Sequence, residues 1–465
     1  MAPNVEIYYG PPGTGKTYTL MDILDYELNS SQVPSKEIAM VSFTKKGIAE
    51  GTARAKTRFN LSDEDFPYAR TIHSLAFTVL GMNRRNVMDA KKYGEFSKKM
   101  GMHFTGYYTP EFHHTDDMLL FGDELYRNNK RAGSRYIESL NMDKFIFVKD
   151  NFRKYKDTFG YSDFTDMIEA FIRLDKSVPV KVAIIDEAQD LTTLQWRMVW
   201  AAFRHCERVY IAGDDDQAIY EWSGADVEYF LSLRGTTHVL SHSYRLPNNF
   251  VNFAKRVTRN IQRRATKDYT GLEPKGDLDL ANNLDELKIR PNETYMILSR
   301  NNSFLSAAET WVQRQGVPYL YKGEAVIKAC HINDIRFYEE KRKTRIIDDA
   351  EESRLKKLLK EDTDLGKPWY DVFRWDQPTI DYIRTMLAAK PANMLKPLVN
   401  ISTIHSVKGG EADNVILLSD ITRNVHINRD INPDSEHRVF YVGITRAKKT
   451  LRIVLPQTKY SYTFS

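Results

Sequence analysis

Cysteine is nearly absent from this chain of 465 residues. Cys206 and Cys330 are the only two, far apart, with no Cys/His cluster at metal-ligand spacing. That excludes a disulfide framework or a zinc centre as the organising device and fits a reducing compartment. Long apolar runs are missing as well, and none approaches the roughly 20 residues needed to span a bilayer. Strong charge of one sign is also lacking: 67 Lys and Arg stand against 62 Asp and Glu, a formal +5. So mild a balance does not announce a polyanion partner, and any such site must come from local arrangement and stacking. No repeat of fixed period and no low-complexity tract occurs. The strand-like Val5-Glu6-Ile7-Tyr8-Tyr9 follows the first residues directly and leaves no room for a signal peptide, so a soluble, cytoplasmic protein is expected.

What is present is ordinary globular composition, 42% hydrophobic and 28% charged, in a chain too long for one hydrophobic core. Short apolar runs at Val5–Tyr9, Glu37–Phe43, Val182–Ile185 and Arg208–Ala212 each end in a polar or glycine-rich loop, with helical patterns between them. A second set lies at Tyr295–Leu298, Val317–Tyr321, Val399–Ile404, Val415–Leu418 and Leu451–Leu455. Strands alternating with helices predict parallel α/β sheets with ligand loops at the strand carboxyl ends. The expected organisation is two tandem α/β cores, 1–82 with 161–235 and 236–325 with 398–465. Mostly helical insertions are expected at 83–160 and 326–397. The basic run Lys341-Arg342-Lys343-Thr344-Arg345 in the second insertion reads as a solvated helix face.

Gly10-Pro11-Pro12-Gly13-Thr14-Gly15-Lys16-Thr17 fits the G-x-x-x-x-G-K-[ST] phosphate loop, directly after a strand and before a helix beginning near Lys16. Its glycines let backbone N–H groups wrap phosphates at a helix N-terminus. Lys16 would reach the β- and γ-phosphates, and the Thr17 hydroxyl would sit on Mg²⁺. Asp186-Glu187 closes the apolar run from Val182 to Ile185. There Asp186 suits the Mg²⁺ site, and Glu187 suits orienting and deprotonating an attacking water.

Together with further motifs these residues resemble the UvrD/Rep-type superfamily 1 DNA helicases, from about residue 5 to 455 with the insertions excepted. Ser42-Phe43-Thr44-Lys45-Lys46 and Thr71-Ile72-His73-Ser74 look like strand-contact motifs, and Asp163-Phe164-Thr165-Asp166-Met167 like the acidic motif that closes the first insertion. Gly213 to Trp222 resembles the segment linking the γ-phosphate to the strand groove. Ser243-Tyr244-Arg245, His405 to Glu411 and Tyr441 to Ala447 resemble the second-core motifs. The resemblance implies two RecA-like domains and an ATP-dependent DNA helicase that couples Mg-ATP hydrolysis at the inter-core cleft to movement on single-stranded DNA and unwinding of junctions. It implies that Gln217 senses the γ-phosphate, Tyr244 stacks on the base, Glu411 contacts the ribose, and Arg245 and Arg446 act as arginine fingers. Strand contacts are implied for Phe43, Tyr220, Trp222 and His405 by stacking, and for Thr44 and His73 on the backbone. Polarity would be 3′→5′, since Tyr220-Glu221-Trp222 and His405 to Gly409 look like UvrD/Rep rather than the RecD/Dda branch. Replication or repair proteins are the implied class of partner.

The pattern departs from the family in places. Nine residues precede Gly10, and none is the glutamine that reads adenine, so tolerance of the nucleobase is expected. Ser223 stands where arginine is common and Gly410 where a larger apolar residue is usual, and both insertions are short. Three alternatives stay open at this stage: an RNA helicase, a motor that strips proteins from strands without unwinding, and a strand-binding module with a dead ATPase. Intact Lys16, Thr17, Asp186, Glu187, Gln217, Arg245 and Arg446 argue against the last.

Overall fold

The computed structural model describes residues 3–109, 116–361, 363–389 and 396–464, so short parts of both expected insertions lie outside the described residues. Two compact units are present. The first comprises 1–245, 258–272 and 434–438; the second comprises 246–257, 273–433 and 439–465.

The first unit is built on a six-stranded parallel sheet. Its strands are β1 (Asn4–Tyr9), β2 (Ile38–Ser42), β3 (Ala69–Thr71), β4 (Val182–Asp186), β5 (Arg208–Gly213) and β6 (Thr236–Val239), in the order β3-β2-β4-β5-β1-β6. The central strands are buried on both faces. Along β2, Ala39 and Val41 join one core with Ile185, Ile211 and Trp196, while Ile38 and Met40 join another with Leu20, Leu24 and Ile184. This two-sided burial makes the strands read as continuous apolar runs. Helices at Ala90–Met100, Asp117–Asn128, Lys130–Ile137 and Met142–Phe159 carry a core of their own, centred on Phe96, Phe145, Val148 and Phe152.

Register explains why distant motifs meet. Thr71 is opposite Ser42, Ser42 opposite Asp186, and Gly213 opposite Tyr9. The carboxyl ends of β3, β2, β4, β5 and β1 therefore form one row, and the loops that follow them share one edge of the sheet, the usual ligand edge of parallel α/β sheets.

A two-stranded sheet of β7 (His242–Pro247) and β8 (Thr270–Leu272) follows. The second unit holds a seven-stranded sheet of β9 (Asp277–Ala281), β10 (Tyr295–Ser299), β11 (Tyr319–Tyr321), β12 (Glu324–Ala325), β13 (Val399–Thr403), β14 (Ala412–Leu418) and β15 (Ala447–Val454). The order is β12-β11-β13-β10-β14-β15-β9, parallel except for the β11/β12 hairpin. Two parallel α/β sheets in tandem are the RecA-like arrangement the sequence predicts. Helices at Ala329–Thr344, Asp349–Leu358 and Gln377–Ala389 share the core of this sheet through Tyr338, Leu355 and Ile383. The basic run closes the first of them. Lys341 pairs with Glu351 and Arg342 with Glu339, so part of it is tied to carboxylates rather than only solvated.

Candidate functional site

β1 ends at Tyr9 and the chain turns through Gly10–Gly15 into the Lys16–Asp25 helix, which no side chain caps and which has no acidic residue in its first turn. An uncapped, carboxylate-free helix start suits an anion. Gly13 and Gly15 have φ of +75° and +82°, in the left-handed region that disfavours a side chain. A Cβ on Gly10 would come within 2.0 Å of Lys16 Cγ, so the lysine stem occupies the hollow of the loop. The loop is tied to its surroundings by Thr14 Oγ1 donating to Pro11 O, Ser243 Oγ donating to Pro12 O, and Tyr244 N donating to Gly13 O. Gly13 thus lies against Arg245, whose Cβ is 2.4 Å from where a Gly13 Cβ would stand. Beside the loop a cavity of about 740 Å³ is lined by Gly15, Tyr18, Val239, Leu240, His242 and Tyr244.

At the end of β4, Asp186 is buried and accepts from Glu187 N. Burial and the neighbouring Glu187 push its carboxyl up to about 6, against the pull of Lys16. Glu187 sits at φ +52° and reaches Lys16 Nζ at 3.3 Å. Burial alone would lower the Lys16 ammonium, but Glu187, Asp186 and Asp214 raise it, and it stays protonated.

From Glu187 a chain of side chains leads across the strand ends. Gln189 Nε2 donates to Glu187 Oε2 at 2.6 Å, Gln189 Oε1 accepts from Asp214 N at 3.0 Å, and Gln217 Nε2 donates to Asp214 Oδ2 at 2.8 Å. Chemistry fixes both amide orientations: a backbone N–H only donates and an ionised carboxylate only accepts. Lys16, Glu187, Asp186 and Gln217 are therefore brought together in the first unit.

The strand candidates of this unit stand on segments that follow the sheet strands, His73 in the first turn of the Ile72–Val79 helix and Trp222 in the 3-10 turn Glu221–Ser223. Phe43 and Tyr220 rings lie 5.6 Å apart. Thr44 caps the Lys45–Phe59 helix by accepting from Gly47 N, a bond that leaves its O–H able to donate. His73 lies edge-on to Phe164 at 5.4 Å, and burial lowers its imidazole to about 4 against the opposing pull of Asp163. Trp222 is half-buried, with its ring 6.2 Å from that of Phe121 in the Asp117–Asn128 helix. Ser223, at the departure from the family pattern, turns its hydroxyl onto Tyr220 O.

In the second unit His405 opens the turn after β13, and burial with Arg300 and Lys408 holds it well below its ordinary value. Glu411 is exposed and pairs with Lys448. Arg446 is buried, its guanidinium donating to Val442 O, Gly410 O and Thr445 Oγ1. A Cβ on Gly410 would meet Met296 Cε at 2.9 Å, so Met296 fills the space of the larger residue usual there.

The model of the UvrD/REP helicase N-terminal domain matches residues 5–238, half of the chain by itself, and that of the UvrD-like helicase C-terminal domain matches 337–458. The chain belongs to the UvrD/Rep helicase family. It is 24% identical to the DNA helicase II of Haemophilus influenzae over 70% of this chain and 50% of that one. It is 26% identical to the ATP-dependent DNA helicase PcrA of Staphylococcus epidermidis over 57% of this chain and 39% of that one. A "Probable DNA helicase" of Mycoplasma pneumoniae is 22% identical over 97% of this chain and 80% of its own length. The chain thus spans half or less of the length of the first two relatives.

Within this UvrD/Rep chain, several residues beside the motifs escaped sequence reasoning. Lys267 is buried against Asp214, Asp215 and Asp216, and Arg264 holds Asp216 through two bonds of 2.9 and 2.6 Å. Arg438 donates to Asp215 O and Arg263 O. Arg127 and Lys156 bind the acidic motif at Asp163 and Asp166. The three consecutive aspartates were the available signal, because buried carboxylates require cations. Which cations supply them depends on tertiary contacts.

Proposed function

We propose that this protein is an ATP-dependent DNA helicase that translocates 3′→5′ on single-stranded DNA and opens the duplex ahead. The observation that carries the reading is the side-chain chain from Lys16 through Glu187, Gln189 and Asp214 to Gln217, three residues before Tyr220. It links the phosphate loop, by way of the loops after β4 and β5, to the segment that carries the strand candidate Tyr220. In this reading Gly10 to Thr17 hold the triphosphate, Glu187 deprotonates the attacking water, and Arg245 and Arg446 supply guanidinium groups to the transferring phosphoryl. In other NTPases such guanidinium groups contribute on the order of 10³–10⁵ in rate. Tyr244 stacks on the base and Glu411 meets the ribose. Phe43, Tyr220, Trp222 and His405 offer faces to the bases, and Thr44 and His73 contact the backbone.

Mg²⁺ fits the site. Thr17 and Asp186 offer hard oxygen donors, and the raised Asp186 carboxyl marks a buried acid that a cation would relieve. With two protein ligands the ion would take its other positions from phosphate and water, as Mg²⁺ commonly does. The ion would neutralise charge on the phosphates. The reading keeps a first core of 1–82 with 161–235 and a second of 236–325 with 398–465, with insertions at 83–160 and 326–397; the compact units differ from it in grouping 236–245, 258–272 and 434–438 with the first.

The test is NTPase and unwinding activity on 3′-tailed, 5′-tailed and blunt DNA beside an RNA control. Strand-stimulated hydrolysis with unwinding of the 3′-tailed duplex alone is expected. Stimulation by RNA but not DNA would overturn the substrate assignment, and hydrolysis without unwinding would favour a motor that strips proteins from strands.

A further inference from the structure

Asp214, Asp215 and Asp216 are consecutive and all buried, which brings three carboxylates into one small volume. Lys267 lies among them with its side chain fully buried, 2.7 Å from Asp214 Oδ1 and 2.9 Å from Asp216 Oδ2, and it also bonds Asp215. Arg264 donates to both carboxylate oxygens of Asp216, and Asp215 Oδ2 accepts from Ala265 N. Such a cluster is a poor way to gain stability, since well-packed apolar side chains of similar volume often do as well. Its value lies in the geometry it specifies.

That geometry concerns Gln217. Asp214 uses both carboxylate oxygens: Oδ1 accepts from Lys267 Nζ and from Asp216 N, and Oδ2 accepts from Gln217 Nε2. A carboxylate held from both sides has one rotamer, so the Gln217 amide has one orientation, its N–H₂ committed to Asp214 and its carbonyl turned the other way. Lys267 also stands 5.9 Å from the centroid of Tyr9, the last residue before the phosphate loop, and Gly10 N donates to Gly213 O. One ammonium thus underlies both the base of the phosphate loop and the turn carrying Gln217.

We propose that Lys267 is a positioning residue for strand-stimulated hydrolysis, acting through Asp214 to hold Gln217 in its working orientation. The proposal rests on the helicase reading above, with Gln217 as the group that answers to the γ-phosphate. With its side chain fully buried among the aspartates, Lys267 has no part in this reading as a nucleotide or strand contact. Its loss should therefore lower the turnover rate and leave the binding constants nearly alone. Misplacement of a reacting group by about 1 Å costs on the order of 100-fold in rate, so a 10- to 100-fold fall in strand-stimulated kcat is expected for Lys267→Met.

Four variants and a cycle test this. Lys267→Met leaves three carboxylates with one cation, so Lys267→Met/Asp215→Asn is made beside it to restore the charge balance. Asp215 is the member to neutralise, because burial already raises its pKa, and Asp215→Asn alone is the control. Lys267→Arg keeps the charge and is expected to recover part of the rate. Melting temperature, KM for ATP, affinity for an oligothymidylate and strand-stimulated kcat are measured on each. The expected result is a fall in kcat with KM and oligonucleotide affinity within about threefold of wild type, a difference below 1 kcal/mol. Adding Lys267→Met to Gln217→Ala should then cost nothing further, because the two act in series. A charge-compensated variant that folds and turns over within twofold of the Asp215→Asn control overturns the proposal. So does a Lys267 loss that multiplies with the Gln217 loss. Wild-type protein without any strand-stimulated hydrolysis would overturn the helicase reading itself, a distinct result.

Discussion

Trp222→Ala separates two roles for one ring. The indole is half-buried, its centroid 6.2 Å from Phe121, which in turn meets Tyr108 and Tyr136 at 5.1 Å. Removing a fully buried Trp or Phe costs about 3–5 kcal/mol, and a half-buried ring forfeits roughly half of that, near 2 kcal/mol. At about 2–4 °C per kcal/mol, Tm should fall by roughly 4–8 °C. If the exposed face also stacks on a base, strand affinity falls by a further 1–3 kcal/mol, roughly 5- to 150-fold in Kd. Fluorescence anisotropy with a labelled oligothymidylate, corrected for the folded fraction from circular dichroism, measures the second effect free of the first. Phe121→Leu supplies the comparison. It removes the packing partner without touching a strand, so it should lower Tm and leave Kd within about twofold, under 0.5 kcal/mol. Unchanged Kd per folded Trp222→Ala molecule, with the Tm loss intact, would refute stacking and leave Trp222 as a packing residue.

Other outcomes follow from single sites. Lys16→Ala should abolish ATP hydrolysis while oligonucleotide affinity holds, and Glu187→Gln should retain ATP binding and stall; equal losses of nucleotide affinity and rate in Glu187→Gln would count against its role as the base. His73 is held at about 4 by burial, below the ordinary value of about 6.5, so the folded state binds fewer protons than the unfolded one between those values. Stability tied to neutral His73 is complete above about pH 6.5 and is lost as pH falls toward 4, by on the order of 1–3 kcal/mol. Denaturant titrations across that range should be flatter for His73→Gln, and an identical slope would place the titration elsewhere. In the second unit Tyr462 is buried and stacks on Phe440 at 3.9 Å; Tyr462→Ala should lower the stability of that unit by about 3–5 kcal/mol in urea unfolding.

The sheet was most legible where strands are buried on both faces. β2 and β4 are fully buried and appear in the sequence as apolar runs within a residue or two of their ends. β3, β6 and β9 escaped because they are short and half-exposed: Thr236–Val239 reads Thr-Thr-His-Val and offers no apolar run. The candidates at Gly10 to Thr17, Phe43 and Thr44, Asp186 and Glu187, and Gln217 could be picked out because each follows a readable strand, and parallel register then aligns the strand ends; His73 follows the unread β3 and was picked out by its motif alone. Partners supplied from afar could not. Lys267 is 53 residues from Asp214, and nothing in its own neighbourhood distinguishes it from the other basic residues of Lys255 to Lys267. The contact of Trp222 with Phe121 is hidden for the same reason, since it joins a strand-end loop to a helix about 100 residues earlier.

Glu187 occupies the left-handed region at φ +52°, where a side chain other than glycine or asparagine sits under strain. With Glu187 as the proposed base, selection for heat resistance pulls against selection for turnover at this one position. A library randomised at 187 and screened only for thermal survival should enrich Gly or Asn, both of which relax the backbone and lack the carboxylate proposed as the base. Stabilising substitutions for this protein are best sought with position 187 fixed, because the strain there accompanies the proposed base.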